Sequence, residues 1–504
     1  MKNNIDNMVI DFYELTMGQG YFNKKIHNKT AYFDLFFRKN PDNAAFTIAN
    51  GVKKCVEFLQ DFKFDESDIE YLKSLGKFSN EYLEYLKTVR FTGDVWAIED
   101  GTVVLPNEPC ITIKAPLLEA QLVETALLVI FNRSSLITTK ASRIVRAAKG
   151  RAVMEFGSRR AQGEQAAVDG ALDTYIAGTC GTACTLTGKL YGVPVIGTMA
   201  HSFVQSFDTE YEAFKAYAQS FPDNCTLLVD TYNTLQSGIP NAIRVYNEVL
   251  KPMGKSLAGI RIDSGDLSYL TKQAREMLDK HGLYDAKIVV SNSLDEYLIT
   301  SLLNQGAPID SFGVGENMIT AKSNPVFGGV YKLVAMEKFG KIEPKIKISD
   351  NIEKVTNPHF KNIYRLYDKN GKLISDLLAL HNEPMPKGNL TLKHPDNAFI
   401  SKTIKDYTVR NLRVKMMENG KIIHKFKSVE ETRAYLKKEL ATLWEESLRL
   451  VNPQPYIVNL SQNLTDVKNE LLYGIKINDQ QEETVKTNST PTQTKTSYWG
   501  NYQK

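Results

Sequence analysis

The distribution of hydrophobic residues in the first part of the chain predicts a mixture of strands and helices. Polar and apolar residues alternate in AYFDLFFRK (31–39), which is typical of a strand. Apolar residues at helical spacing in 71–91 indicate two short amphipathic helices, and turn residues in 91–116 separate β-rich runs, as in small antiparallel strands. We therefore expect a mixed α/β N-terminal domain over residues 1–117, followed by a long helical region at 118–148.

From about residue 152 onwards, short β-rich runs alternate with helical segments. The runs are AVMEFG, VPVIGTMAH, CTLLVDTY, GIRIDSGD, KIVVSNS and DSFGVGEN, and 267–282 has the period of a connecting helix. Ser293 and Glu296 have the spacing of a capping box that opens a helix toward Gly306. Parallel strands with crossover helices produce such an alternation, so residues 118–345 are expected to form an α/β barrel or an open α/β sheet.

The rest of the chain predicts a C-terminal α+β extension and a tail. Residues 346–477 return to a mixed α/β pattern with turns such as 368–371 (DKNG). Residues 478–504 are polar and rich in Thr and Gln, so we expect a disordered tail with no role in the chemistry.

Composition and charge narrow the function classes. The 504 residues are 42% hydrophobic and 24% charged, which excludes collagen-like and wholly disordered chains. The 62 Lys and Arg residues exceed the 58 Asp and Glu residues by 4, which argues against a polyanion as the main partner. We expect neither a secretory signal nor a membrane span. Five scattered cysteines without a metal-binding pattern favour reduced thiols and a cytoplasmic location.

Polar and glycine residues follow directly after the apolar runs, where parallel α/β proteins place their functional sites. Six segments have this character: 157–160 (GSRR), 197–201 (GTMAH), 230–232 (DTY), 261–266 (RIDSGD), 291–293 (SNS) and 313–317 (GVGEN). A purely structural barrel does not need charge, hydroxyls or glycine at every strand end. The sequence therefore predicts one site built from these segments.

The same segments suit an anionic, phosphate-bearing ligand. Arg159, Arg160 and Arg261 offer planar forks for carboxylate or phosphate, unless neighbouring acids hold them in salt bridges. Gly313 and Gly315 allow backbone N–H groups to approach a phosphate, although a tight turn explains them equally well.

His201 is the strongest candidate for a catalytic residue. A neutral imidazole at the end of an apolar run could be a nucleophile toward a phosphoryl group, a general base or simply a hydrogen-bonded structural residue. Asp230, at the end of the next predicted strand, could fix its tautomer and orientation. Asp263 and Asp266 could hold ribose hydroxyls or magnesium, and helix capping is the alternative for both.

Two further features are open to two interpretations. In the basic stretch 133–160, Lys140, Arg143, Arg146 and Lys149 recur every three residues, which predicts a helical stripe. This stripe either attracts polyphosphates or is an ordinary solvated helix face. Tyr13, judged from its spacing alone, is a core residue.

The ordered series of segments resembles the nicotinate phosphoribosyltransferase family, a type II phosphoribosyltransferase family, from about residue 8 to about residue 475. The motifs are DFYELTM, EFGSRRAQG, GTMAHSF, DTYNTLQSG, IRIDSGDL, VVSNSLDE and FGVGENMIT, followed by GGVYKLVA. The resemblance implies an irregular β/α barrel with a mixed α/β N-terminal domain and a C-terminal α+β extension.

The resemblance also implies a reaction. Nicotinate and 5-phosphoribosyl 1-pyrophosphate would give nicotinate mononucleotide and pyrophosphate, in NAD salvage. ATP is implied as a co-substrate whose hydrolysis assists through a phosphohistidine, with Mg²⁺ accompanying the phosphates. Neither a protein-held metal site nor a tightly bound organic cofactor is implied. The expected assembly is a homodimer whose site is shared between subunits, with no nucleic-acid or membrane partner.

Individual residues take roles from the resemblance. His201 matches the phosphorylated histidine, and Asp230 matches the carboxylate that orients it. The other matches are substrate contacts: Tyr13 of the partner subunit on the pyridine ring; Ser158, Arg159 and Thr198 in the nicotinate pocket; Arg261 on the substrate carboxylate and ribose side; Asp263 at the ribose; and Gly315-Glu316 at the phosphate-binding turn. At the position of Glu316, some relatives have a hydroxyl residue. Glu316 departs from that pattern, and its carboxylate would repel a phosphate.

Three competing interpretations remain at this stage. An enzyme of the same superfamily could use nicotinamide or quinolinate instead of nicotinate. A sugar-phosphate isomerase or aldolase would need a general-base pair or a Schiff-base lysine, for which Lys332 is the candidate. A nucleic-acid-binding protein would use the basic stretch 133–160, and its binding would depend on salt.

Overall fold

The structure is a computed structural model that describes residues 5–351, 354–394 and 397–486. The part of the predicted tail from residue 487 onwards lies outside the described residues. The final described helix is Gln462–Lys486, so residues 478–486 of the predicted tail are helical.

A six-stranded parallel sheet forms the part of the molecule that carries the predicted site. Its strands, in spatial order, are Gly181–Thr182, Ala152–Glu155, Ser311–Val314, Lys287–Val290, Gly259–Ile262 and Thr226–Leu228. The strands are short, and most of their apolar side chains are buried in one large core beneath the covering helices. The predicted alternation of parallel strands and crossover helices is confirmed.

The sheet curls into an irregular barrel. Residues 193–196, predicted as a strand, contribute only a parallel bridge in which Ile196 N donates to the carbonyl of Thr182 over 2.9 Å. Within the described residues, no backbone ladder joins this segment to the strand Thr226–Leu228. Side-chain hydrogen bonds described below connect that side of the barrel. The predicted irregular β/α barrel is therefore the observed fold.

Helices occur in the N-terminal part of the molecule and around the parallel barrel. In the N-terminal part they are Phe12–Asn23, Val52–Asp61, Glu66–Ser74, Asn80–Thr88 and Leu117–Leu122. Around the barrel they are Glu124–Ala147, Glu164–Ala177, Thr185–Tyr191, His201–Gln205, Glu210–Ser220, Ile239–Val245, Leu267–Lys280, Glu296–Asn304 and Glu316–Ile319. Short 3-10 turns occur at Pro41–Asn43, Ser158–Arg160, Pro222–Asn224 and Lys251–Met253, and π-helical turns at Thr234–Gly238 and Tyr246–Leu250.

A seven-stranded antiparallel sheet lies at the centre of the N-terminal part. Its order is Lys341–Pro344, Gly329–Lys338, Thr30–Phe37, Ile111–Pro116, Asp94–Ile98, Arg413–Glu418 and Lys421–Ile422. The predicted strand at 31–39 and the small antiparallel strands in 91–116 are confirmed. Four of the seven strands, however, come from beyond residue 328, so the sheet does not follow the order of the chain.

The C-terminal part adds a second layer. A four-stranded sheet has the order Thr408–Asn411, Lys361–Tyr367, Leu373–Leu380 and Val458–Leu460. A two-stranded sheet in the C-terminal part pairs Leu390–His394 with Asn397–Ile404. Another two-stranded sheet, in the N-terminal part, pairs Thr47–Ile48 with Val103–Val104. The C-terminal helices are Val429–Ala441, Glu445–Leu448 and Gln462–Lys486.

Candidate active site

The predicted segments meet at one end of the barrel because they follow the carboxyl ends of neighbouring parallel strands. The strand Gly259–Ile262 lies between Thr226–Leu228 and Lys287–Val290, and Ala152–Glu155 pairs with Ser311–Val314. The loops after these strands therefore converge. Hydrogen bonds between them, rather than proximity along the chain, define the candidate site.

Arg261 is the centre of the polar network at this end. Its Nε donates to Ser291 Oγ over 2.9 Å, Nη1 donates to Thr198 Oγ1 over 3.2 Å, and Nη2 donates to Asp263 Oδ1 over 3.1 Å. Its guanidinium carbon lies 5.4 Å from the ring centroid of Phe156. Three loops and one aromatic ring thus fix a planar cation, a group that recognises carboxylate or phosphate.

His201 begins the helix His201–Gln205 and faces this network. Its Nδ1 lies 3.1 Å from Thr231 Oγ1, and its Nε2 lies 3.9 Å from Asp263 Oδ2. The side chain is 39% exposed. An accessible imidazole beside a carboxylate can act as a nucleophile toward a phosphoryl group or as a proton acceptor.

Asp230 contacts the turn that carries Asp263 instead of the imidazole. Its Oδ2 accepts from the backbone N of Asp263 over 2.8 Å and from Ser264 Oγ over 2.6 Å. Its Oδ1 is buried and has no hydrogen-bond partner among the described residues. The side chains found against His201 are those of Thr231 and Asp263, so the predicted direct contact between Asp230 and the imidazole is not found among the described residues.

A buried acid shapes the turn that contains Ser158 and Arg159. The Glu155 carboxylate accepts from the backbone N of Gly157 and from Thr182 Oγ1, and burial raises the pKa of this carboxyl. The hydroxyl of Ser158 is buried without a hydrogen-bond partner in the described part of the chain, whereas Arg159 is exposed. This turn therefore offers one hydroxyl that has no partner among the described residues and one exposed cation.

The turn at Gly315-Glu316 lies against the same loop. A Cβ atom on Gly315 would lie 3.1 Å from the carbonyl oxygen of Phe156, so the two backbones pack closely. The Glu316 carboxylate lies 2.7 Å from Lys322 Nζ and 3.8 Å from Arg160 Nε. The hydrogen bond from Lys322 lowers the pKa of Glu316. These two cations offset the negative charge that was expected to repel a phosphate.

Tyr13 lies elsewhere in the chain. It belongs to the helix Phe12–Asn23, and its side chain is 44% exposed rather than part of the core. Burial against the chain, with Glu124 nearby, raises the pKa of its hydroxyl above the usual range. No contact among the described residues joins Tyr13 to Arg261 or His201.

Other candidate residues have structural partners. Asp266 caps the helix Leu267–Lys280 by accepting from Tyr269 N over 3.0 Å, so the capping interpretation is confirmed. Lys332 lies on the antiparallel strand Gly329–Lys338, away from the barrel, and burial lowers its pKa. Lys332 therefore does not lie at the end of a parallel strand, where a Schiff-base lysine would be expected.

The predicted basic stripe is wrong for its central residues. Lys140 and Arg143 are only 2% and 1% exposed, and both contact the carboxylate of Glu296. Burial also lowers the pKa of Arg146 to about 10, and its guanidinium donates to the carbonyl of Leu448. Lys140, Arg143 and Arg146 therefore do not form an open solvated face, because acids and carbonyls from distant segments contact them.

The described residues contain neither a metal-binding cluster nor a membrane-spanning helix. No group of three or more His, Cys, Asp or Glu side chains there is arranged to hold a metal ion. None of the helices described is long and apolar enough to cross a bilayer. All five cysteines are free thiols.

Sequence reasoning did not single out three residues of the network. Phe156, Thr231 and Ser291 lie within the segments quoted above, but no role was predicted for them. The available signal was their position next to Gly157, Asp230 and the strand end at Val290. In a parallel barrel, such neighbours share one mouth with the predicted residues.

An irregular parallel β/α barrel of this kind, with its polar strand-end loops and adjoining antiparallel sheet, is the fold of the type II phosphoribosyltransferases. The nicotinate phosphoribosyltransferase (NAPRTase) N-terminal domain matches residues 8–132, the NAPRTase family matches 151–372, and the C-terminal domain matches 360–468. The chain belongs to the nicotinate phosphoribosyltransferase family.

Individual relatives are similar to this chain over most of their length. The nicotinate phosphoribosyltransferase of Bacillus subtilis (strain 168) is 41% identical over 474 residues, covering 94% of this chain and 96% of the relative. The crystal structure of human nicotinic acid phosphoribosyltransferase has a TM-score of 0.82 at 30% identity, covering 92% of this chain and 99% of that chain. Nicotinate-nucleotide pyrophosphorylase from Pyrococcus furiosus has a TM-score of 0.67 at 22% identity, with 88% and 98% covered, and shows the fold alone.

Proposed function

We propose that this protein joins nicotinate to 5-phosphoribosyl 1-pyrophosphate, giving nicotinate mononucleotide and pyrophosphate, and that ATP hydrolysis assists through phosphorylation of His201. The observation that carries the proposal is the network at the barrel mouth, in which Arg261 is fixed by three loops beside an accessible His201. The names of the relatives support the same activity. The expected place of the reaction is NAD salvage, in the cytoplasm.

The transfer step requires positioning more than covalent help from the protein. The pyridine nitrogen forms a bond to the anomeric carbon of the ribose, and the bond from that carbon to the pyrophosphate oxygen breaks, with pyrophosphate keeping the electron pair. The Arg261 guanidinium provides a fixed positive charge, and the Phe156 ring provides a flat surface. Preorganised groups of this kind stabilise developing charge and align the reactants.

The ATP step is assigned to His201. An imidazole nitrogen forms a bond to the γ-phosphorus of ATP while the bond to ADP breaks, and water later accepts the phosphoryl group. A phosphorylated ring places negative charge beside the carboxylate of Asp263, which lies 3.9 Å from Nε2. Repulsion would then alter the hydrogen bonds that Asp263 makes with Arg261 and Ser291. We infer that this rearrangement tightens substrate binding.

Magnesium is expected to enter with the phosphates. Mg²⁺ is commonly held by one or two carboxylates together with substrate phosphate oxygens. Asp230 fits this role, because its Oδ1 is buried at the mouth without a hydrogen-bond partner among the described residues. The ion would neutralise phosphate charge when bound.

A homodimer is proposed as the working assembly. Tyr13 carries a 44% exposed ring on a helix that makes no described contact with the Arg261 network of its own chain. A partner subunit that presents this ring would supply the second face of the nicotinate pocket, as the family resemblance implies.

The decisive experiment follows pyrophosphate release and acid-labile label on the protein with nicotinate, 5-phosphoribosyl 1-pyrophosphate, Mg²⁺ and labelled ATP. We expect both signals from the unaltered protein, and a lower rate when nicotinamide replaces nicotinate at the same concentration. Equal rates with the two bases would contradict the assigned substrate.

The His201→Ala variant tests the phosphohistidine. It should lose the label and the stimulation by ATP while keeping basal transfer, because the Arg261 network does not depend on the imidazole. His281→Ala is the matched control, since His281 lies at an exposed helix end and should change neither signal. Unchanged ATP coupling in His201→Ala would overturn the assignment.

A further inference from the structure

Glu296 is a fully buried carboxylate directly behind one of the loops at the barrel mouth. It begins the helix Glu296–Asn304 and is 0% exposed. Its Oε1 accepts from Lys140 Nζ and from Arg143 Nε, both over 2.9 Å. The predicted capping box is wrong here, because Asp295 is the N-cap and Glu296 points into the molecule.

A second acid completes a charge-balanced group. The Asp42 carboxylate lies 3.4 Å from Lys140 Nζ and 3.8 Å from Arg143 Nε, and its side chain is 9% exposed. Two cations and two carboxylates give a formal charge of zero. We call Asp42, Lys140, Arg143 and Glu296 the buried charge cluster. Buried ions of this kind are costly unless they are paired and hydrogen-bonded, so its geometry is tightly constrained.

The buried charge cluster contacts two neighbouring loops of the proposed site. Glu296 follows the loop 291–295 directly, whose Ser291 hydroxyl accepts from Arg261 Nε. Lys140 Nζ donates to Ser323 Oγ over 2.7 Å, next to the Lys322 that pairs with Glu316. The cluster is therefore connected to the loops after both strands Lys287–Val290 and Ser311–Val314.

The first of these loops has a backbone that needs support. Asn292 and Ser293 have φ values of 100° and 47°, in the left-handed region that residues with side chains rarely adopt. Such backbone persists where surrounding contacts enforce it. Asn317 Nδ2, from the second loop, donates to the carbonyl of Ser293 over 2.7 Å. The two loops therefore hold each other, with the cluster beneath both.

We propose that the buried charge cluster positions these two loops to receive 5-phosphoribosyl 1-pyrophosphate, and that Glu296 is its key positioning residue. This inference rests on the proposed function for the identity of the ligand. Glu296 touches no substrate, because it lies behind the loops. It acts through Ser291, which orients Arg261, and through the segment that carries Glu316 and Lys322.

Two variants separate positioning from stability. Glu296→Gln leaves an unpaired buried positive charge and should lower the melting temperature. It should also raise the KM for 5-phosphoribosyl 1-pyrophosphate about tenfold, with kcat changed less than about threefold, because the loss falls on substrate binding. The charge-balanced pair Lys140→Met with Glu296→Gln should recover much of the melting temperature. Its KM should stay raised, since the tether to Ser323 is also lost.

KM and the melting temperature are also measured for a control variant. Glu248→Gln removes an exposed ion pair with Arg244 and should leave KM within about twofold. If KM returns to its original value together with the melting temperature in the double variant, the cluster is only structural and the inference is overturned.

Amide hydrogen exchange gives a readout that does not need the reaction. In the double variant, exchange should speed up in residues 291–295 and 315–323 and stay unchanged in residues 226–228, in the strand at one edge of the sheet. Unchanged exchange in the two loops would overturn the inference. If the unaltered protein shows no phosphoribosyl transfer, the proposed function is overturned. The exchange pattern would then test the positioning role by itself.

Discussion

At the scale of single residues, Arg261 shows how one side chain organises a site. Its guanidinium donates in three directions, to Ser291, Thr198 and Asp263, while its face lies near the Phe156 ring. A lysine has one nitrogen on a flexible stem and cannot reproduce the planar fork or the stacking. The geometry of the network therefore depends on the guanidinium and not only on its positive charge.

Arg261→Lys should consequently impair the reaction although it keeps the charge. Loss of two charge-assisted hydrogen bonds at about 1.5 kcal/mol each corresponds to a decrease of about 100-fold in kcat/KM. Steady-state kinetics with nicotinate and 5-phosphoribosyl 1-pyrophosphate measures this ratio. The control Arg244→Lys, in an exposed pair with Glu248, should stay within about twofold. A similar small effect at Arg261 would show that charge alone is sufficient.

Residues of the site were more predictable than residues beneath it. Thr198, His201, Arg261 and Asp263 come together as expected, because strand ends of a parallel barrel share one mouth. Lys140, in contrast, was assigned to a surface stripe. Its partner Glu296 is 156 positions away, and helical spacing carries no information about which distant acid will cover a cation.

At the scale of elements, the turn after the strand Ala152–Glu155 is limited by space. A Cβ atom on Gly157 would lie 2.6 Å from Ile319 Cβ and 2.8 Å from the carbonyl oxygen of Gly315. Gly157 has a φ of −95°, which any residue can adopt. Glycine is therefore required for the close approach of the two turns and not for an unusual backbone conformation.

Gly157→Ala should push the two turns apart. We expect a loss of about 1–3 kcal/mol in the free energy of unfolding, which is typical of overpacking, and a fall in kcat/KM of about tenfold or more. Urea denaturation and steady-state kinetics measure the two effects. Gly474→Ala is the control, because its Cβ meets nothing within 4 Å. If Gly157→Ala behaves like this control, the close approach has no role.

Local elements followed from the sequence better than their pairing. The strand predicted at 31–39 is Thr30–Phe37, and the helices predicted in 71–91 are Glu66–Ser74 and Asn80–Thr88, capped by Asp65 and Ser79. Periodicity and capping residues determine such elements locally. The pairing of Arg413 with Ile98 joins distant parts of the chain, and no local pattern specifies it.

At the scale of the whole molecule, buried ion pairs connect the separate sheets. Lys361, on a strand of the C-terminal sheet, lies 2.7 Å from the Asp34 carboxylate on a strand of the N-terminal sheet. Their side chains are 1% and 3% exposed. Because each ion depends on the other for compensation, the N-terminal and C-terminal parts are expected to unfold together.

Asp34→Asn tests this dependence. Removal of one partner of a buried pair leaves an uncompensated charge, so we expect a loss of about 3–5 kcal/mol in the free energy of unfolding. Urea denaturation followed by tryptophan fluorescence and by residual activity should give transitions that shift together, since the pair spans both sheets. The double variant Asp34→Asn with Lys361→Met should recover only part of the loss, because Lys361 is no longer left without its partner but the buried Arg413 still loses the nearby Asp34 charge. Glu84→Gln, in an exposed pair with Lys87, should cost less than about 1 kcal/mol. An equally small effect at Asp34, or transitions that separate, would show that the sheets are stabilised independently.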